Sequence, residues 1–154
     1  MEHQAQYSDL LQLSKELDHI YHEVSLKMGL SDSGFSLLYA LCERGVPTAP
    51  SELYAEWSLS KQTGHSALLA LERRGLVALS PDPRDGRGKL VALTPAGAVY
   101  VKQTIQPLMA AERSSFARLT GEEQNQLVAL TEKSVILLKE ELSGLLSGPA
   151  GTQL

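Results

Sequence analysis

Apolar residues recur at three- and four-residue intervals from Leu10 through Leu13, Leu17, Ile20 and Val24 to Met28. That spacing draws one stripe along a helix of about Tyr7 to Met28, with Gly29 placed as its stop. A denser run, Phe35 to Glu43, predicts a second helix capped by Ser31 or Asp32 and ended by Gly45. Val46-Pro-Thr48 can add a short strand, and Pro50 suits the first turn of a short third helix reaching Trp57. After the break Ser58-Leu59, Ser60 is placed to cap a fourth helix that runs to Arg74 and closes at Gly75.

The pattern then changes. Leu76 to Leu79 and Leu90 to Leu93 are short apolar runs on either side of Ser80-Pro-Asp-Pro-Arg-Asp-Gly-Arg-Gly88. They read as a β-hairpin, and two prolines with two glycines predict a long exposed tip instead of a two-residue turn. Thr94-Pro95 opens a fifth helix to about Leu119, which Pro107 should kink. Thr120-Gly-Glu-Glu123 has the spacing of a capping box and opens a sixth helix to Leu146, followed by a Gly/Pro/Ser-containing tail expected to be flexible. The expected organisation is an N-terminal helix in 1–30, helices with a hairpin in 31–94, C-terminal helices in 95–146 and a tail in 147–154. The fold class is mostly α with one small β-hairpin.

Composition narrows the function. The chain has 154 residues, 43% hydrophobic and 21% charged, which suits a globular protein with its own core. No apolar run reaches the roughly 20 residues that span a bilayer, so no membrane role is expected, and the cytoplasm is the default location. The net charge of −4 alone argues against a polyanion partner, but its distribution does not. Between Ser60 and Leu90 lie six basic residues (Lys61, Arg73, Arg74, Arg84, Arg87, Lys89) against three acidic ones (Glu72, Asp82, Asp85). An acidic body with one basic segment is the footprint of a protein that presents one face to phosphate.

The order helix, helix, turn, helix, strand, loop, strand is that of a winged helix-turn-helix. In such a fold the later helix enters the major groove of double-stranded DNA through its N-terminal residues. Here that turn reads Ser60-Lys-Gln-Thr-Gly-His-Ser66. Lys61 can neutralise phosphate or donate to guanine, and Gln62 can pair with adenine. Ser60, Thr63, His65 and Ser66 can donate or accept at base edges or phosphates. Gly64 is read as allowing close backbone approach to the DNA. Arg73 lies at the far end of the same helix. On the hairpin, Arg84, Arg87 and Lys89 are three cations, and an arginine at a wing tip can enter the minor groove. Asp85 is expected to brace Arg87 or to cap the loop backbone.

Three segments carry a resemblance: Leu71 to Val77 (Leu-Glu-Arg-Arg-Gly-Leu-Val), Asp85-Gly-Arg87, and Leu93-Thr-Pro-Ala-Gly97. In this order they resemble the signature of the multiple-antibiotic-resistance-regulator (MarR) family of transcription regulators. The similarity extends over roughly residues 7 to 145. Many members have a second arginine where this chain has Gly86, so the minor-groove contact falls to Arg87, with Arg84 as substitute. The resemblance implies a homodimer built by the first, fifth and sixth helices, reading a pseudo-palindromic operator as a repressor. It also implies a small-molecule effector, phenolic or otherwise amphipathic, near the junction with the DNA-binding part. Tyr21, Tyr39 and Trp57 are candidates to line that pocket, although such residues are more often core.

Other readings stay open. Cys42 is the only cysteine; it reads as a small residue near the core, or as a redox-sensing thiol with only Arg44 nearby to lower its pKa. His19 and His22 are three apart on the first helix, a spacing that can hold a metal but suits two exposed histidines equally. No metal and no cofactor are expected. No HExxH, GxSxG or Gly-rich phosphate loop is present, so an enzyme is not expected. A winged helix serving protein interaction without DNA binding is a further alternative.

Overall fold

The computed structural model describes residues 2–146. The predicted tail, 147–154, lies outside the described residues. The fold is mostly helical with one antiparallel hairpin. In chain order the elements are α1 (Glu2–Lys27), α2 (Asp32–Arg44), α3 (Pro50–Glu56), α4 (Lys61–Arg73), β1 (Val77–Asp82), β2 (Asp85–Leu93), α5 (Pro95–Gln103), α6 (Ile105–Phe116), α7 (Gly121–Glu141) and α8 (Ser143–Leu146). None of the described helices is long and apolar enough to cross a membrane. The chain divides into two compact units with the boundary between Met109 and Ala110.

Helix starts are set by side chains. Ser31, Ser60, Thr94 and Thr120 each accept the backbone N–H three residues on, from Gly34, Thr63, Gly97 and Glu123 respectively. Each cap satisfies a donor that the helix leaves orphaned, and its loss costs about 0.5–2 kcal/mol. At Thr120 the exchange is reciprocal, since Glu123 accepts the Thr120 N–H, and this holds the Glu123 carboxyl below its ordinary pKa.

The core of the first unit is formed by α2, α3, α4, the hairpin, α5 and the start of α6. Leu37, Leu38, Leu53, Leu71, Val77, Val91 and Ile105 are completely or almost completely buried. The expected short strand at Val46-Pro-Thr48 is a single bridge, in which Thr48 and Val91 exchange both backbone hydrogen bonds at 3.0 and 2.8 Å.

Two elements differ from expectation. The single kinked fifth helix is two helices, α5 and α6, divided at Thr104 (φ −125°, ψ −69°). Pro107 has no N–H for the carbonyl of Gln103 and its ring crowds that carbonyl, so the break falls one turn before the proline. The hairpin tip is short, not long. The strands continue to Asp82 and Asp85, which pair across a two-residue tip, Pro83-Arg84. Adjacent Pro81 and Asp82 pair with Lys89 and Asp85, so Gly86, Arg87 and Gly88 are the surplus of β2. The two glycines belong to this bulge, not to the tip.

Candidate nucleic-acid interface

The sequence between α3 and α4 dictates a tight turn. Leu59 donates its N–H to the carbonyl of Tyr54 at 2.8 Å, and Ser58 donates to Ala55 at 3.2 Å. Ser58 takes φ +50°, the left-handed region that serine rarely visits. The turn brings α4 across α3 at close range, and Gly64 makes this possible. A Cβ at Gly64 would lie 2.4 Å from the ring of Tyr54, itself buried with its phenol pKa raised by desolvation. The expected role for Gly64, backbone approach to DNA, is corrected: the residue is buried and faces α3. Sequence reading missed Tyr54 because its partner is ten residues away.

The same helix turns its opposite face outward. Lys61, Gln62, Thr63, His65 and Ser66 are all exposed, while Gly64, Ala67, Leu68 and Leu71 are buried. Ser60 and Thr63 are partly committed to each other, since the Ser60 hydroxyl accepts the Thr63 N–H and donates to the Thr63 hydroxyl at 2.9 Å. Lys61 and His65 share a cleft of about 780 Å³ with Asp82, Asp85, Gly88 and Lys89 of the hairpin. The first turns of α4 and the outer half of the hairpin therefore border one surface.

The wing is organised by its two aspartates. Asp82 accepts the Arg84 backbone N–H at 2.9 Å and its Nε at 3.3 Å; the backbone bond first, then the guanidinium, holds its carboxyl below the usual range. Asp85 accepts the backbone N–H of Arg87 at 3.1 Å. Of the two roles expected for Asp85, the structure shows the loop cap. The brace on a guanidinium belongs to Asp82, and the arginine it holds is Arg84. Among the described residues, the ion pairs include none at Lys61, Arg73, Arg87 or Lys89. Arg44, by contrast, is forked between Glu52 at 3.0 Å and Glu56 at 2.8 Å, which ties α2 to α3.

The base of the wing is fixed to its neighbours. The Thr94 hydroxyl donates to the carbonyl of Gly75 at 2.5 Å and accepts the Gly97 N–H at 2.9 Å, while the Thr94 N–H donates to Leu76 at 3.1 Å. A Cβ at Gly97 would lie 1.8 Å from the Leu76 carbonyl oxygen, so only glycine fits. The Leu-Thr-Pro-Ala-Gly stretch is thus a junction between the end of α4, the hairpin and α5.

Tyr21, Tyr39 and Trp57 are brought into one row through Phe35, which sequence reading did not single out. Ring centroids are 6.3 Å apart for Tyr21–Phe35, 5.8 Å for Phe35–Tyr39 and 5.7 Å for Tyr39–Trp57. The two histidines go separate ways. His19 faces Glu23 at 3.6 Å, and His22 meets Asp32 at 2.9 Å. Ser25 donates to the same Asp32 carboxylate at 2.5 Å, and these two bonds, Ser25 first, lower its pKa. No group of three or more potential metal ligands occurs among the described residues. Cys42 is half-buried beside the core.

Residues 28–88 match the model of the MarR family. The HTH-type transcriptional repressor NicR of Pseudomonas putida is 28% identical over 116 residues, which are 75% of this chain and 73% of that protein. Among solved structures, NMB1585, a MarR family regulator from Neisseria meningitidis, superposes with a TM-score of 0.74 at 21% identity, covering 90% of this chain and 97% of its own. A mutant of E. coli MarR complexed with operator DNA gives 0.64 at 25% identity, covering 82% and 91%.

Proposed function

We propose that this chain, whose residues 28–88 match the MarR family model, is a homodimeric, ligand-responsive transcription repressor of a pseudo-palindromic operator. The observation that carries the reading is the shared border of the α4 N-terminus and the wing, with Lys61, His65, Gly88 and Lys89 on one cleft and Arg87 next in sequence to Gly88, in no ion pair among the described residues. In this reading Lys61 to Ser66 enter the major groove, with Ser60 as their cap. Arg73 and Lys89 meet phosphate, and Arg87 reaches the minor groove. Arg84 contributes less, because Asp82 already holds its guanidinium.

A titration against operator DNA tests this directly. Arg87→Ala should weaken binding by about 1–3 kcal/mol, and Lys61→Ala should lower the slope of log affinity against log salt by about 1. Unchanged affinity for the first, with an unchanged slope for the second, would remove the interface.

The aromatic row supports the effector part of the reading. Tyr21 and Trp57 are more than one-third exposed at its two ends, so a flat amphipathic molecule can stack there. Trp57 is the only tryptophan, so its fluorescence should change on titration with a phenolic acid, and a flat response across such compounds would place the effector elsewhere. Bound preferentially to one arrangement of the dimer, the effector would shift the population toward it.

A further inference from the structure

Arg73 and Arg74 are adjacent cations at the end of α4, and the structure treats them differently. Both are exposed; Arg73 makes no ion pair among the described residues, whereas the Arg74 side chain reaches back to the end of α1. Its Nη1 donates to the carbonyl of Gly29 at 2.7 Å, across 45 residues of sequence. Its guanidinium lies 5.4 Å from the centroid of the Tyr100 ring, on α5. Tyr100 in turn donates its hydroxyl to the carbonyl of Met28 at 2.5 Å.

Met28 and Gly29 are where α1 ends, with Gly29 at φ +66°. Their carbonyls lie just past the last turn of α1, at the negative pole of that helix, where a cation and a hydroxyl donor are favoured. The planar guanidinium can donate to the carbonyl and lie over a ring at once, which suits arginine. Three elements thus meet at one node: the end of α1, the end of α4, and α5.

We propose that Arg74 is a positioning residue for the recognition helix. It transmits the placement of α1 and α5 to α4 and does not serve as a phosphate contact. The proposal rests on the DNA-binding reading above. Upstream of the node, α1 carries the exposed stripe Leu10, Leu13, Leu17 and Ile20 and the Tyr21 end of the aromatic row. Whatever covers or displaces α1 acts on α4 through Gly29 and Arg74. A one-residue exchange of roles would have put Arg73 here, and the sequence alone does not distinguish the two.

The test uses an operator selected by the full-length wild-type chain from a pool of random-sequence duplexes. Affinity is then measured over a series of salt concentrations for wild type, Arg73→Ala, Arg74→Ala, Tyr100→Phe and the Arg74→Ala/Tyr100→Phe double variant. Arg74→Ala should bind about five- to thirtyfold more weakly, the range of one to two kcal/mol, with the wild-type salt slope. Tyr100→Phe changes no charge and should weaken binding in the same direction, and the double variant should lose less than the product of the two. Operators with one base pair inserted or deleted between half-sites supply a readout that lowered stability would not move. Arg74→Ala should tolerate them better than wild type, and Arg73→Ala should not. A salt slope reduced by about one in Arg74→Ala would make it a phosphate contact and overturn the proposal. So would wild-type spacing preference in Arg74→Ala, or unaltered binding by Tyr100→Phe. Failure of the wild type to enrich any duplex would instead remove the DNA-binding reading, and this proposal with it.

Discussion

Helices α4 and α7 are both rich in leucine, yet they place it differently. In α4, Ala67, Leu68 and Leu71 are buried against α2 and the hairpin, and the polar residues of its first turns face out. In α7 none of the described side chains is buried, and Leu127, Val128, Leu130, Val135, Ile136, Leu137 and Leu138 stay 46–65% exposed. An apolar surface of that extent marks a site for another molecule, whereas the stripe of α4 is already satisfied within its own unit. The apolar stripe of α4 needs only its own chain. In the dimer proposed above, α7 would bury its apolar side chains against the partner.

Truncation at the two sites should therefore have unequal cost. Leu71→Ala removes a fully buried side chain and should lower the unfolding free energy by about 2–5 kcal/mol in a urea titration. A value under about 1 would deny α4 its place in the core. Gly64→Ala comes next. The added methyl meets the Tyr54 ring, so a loss of about 1–3 kcal/mol is expected, with Tyr54→Ala in the same chain relieving the clash. Equal stability of Gly64→Ala and wild type would show that α3 and α4 are not as close as described. Leu137→Ser should be the mildest for the fold, within about 0.5 kcal/mol at concentrations where the chain is monomeric. Its effect should appear in sedimentation, as a dimer that dissociates at higher concentration than wild type. An unchanged monomer–dimer equilibrium would separate α7 from the interface.

What the sequence made legible was chemistry that acts within a few residues. The caps at Ser60, Thr94 and Thr120 could be placed, and that of α2 narrowed to Ser31 or Asp32, because a short oxygen-bearing side chain three residues before a free N–H needs nothing else; the structure selects Ser31. The same holds for Pro50 at the start of α3 and for the hairpin itself. Expectation failed where a partner is distant in sequence. Gly64 was assigned to DNA because nothing local points to Tyr54. Gly86 and Gly88 resemble turn residues, and only the register shows that they fill a bulge. Pro107 announced a kink, but the break falls at Thr104, next to the Gln103 carbonyl that the proline has no N–H to serve. Arg74 is the strongest case, since its contact with Gly29 spans 45 residues and its neighbour Arg73 is the same residue type.

The junction at Gly75, Leu76, Thr94 and Gly97 has a consequence for how the molecule can measure DNA. The end of α4 and both ends of the hairpin meet there with no room for a single methyl group at Gly97. In the proposed DNA-binding reading, α4 and the wing are therefore two jaws of one caliper, tied together at this junction. On the DNA-binding reading, the distance from a major groove to the adjacent minor groove is gauged as a whole. A duplex of the wrong gauge would be refused on its dimensions, whatever bases it offers.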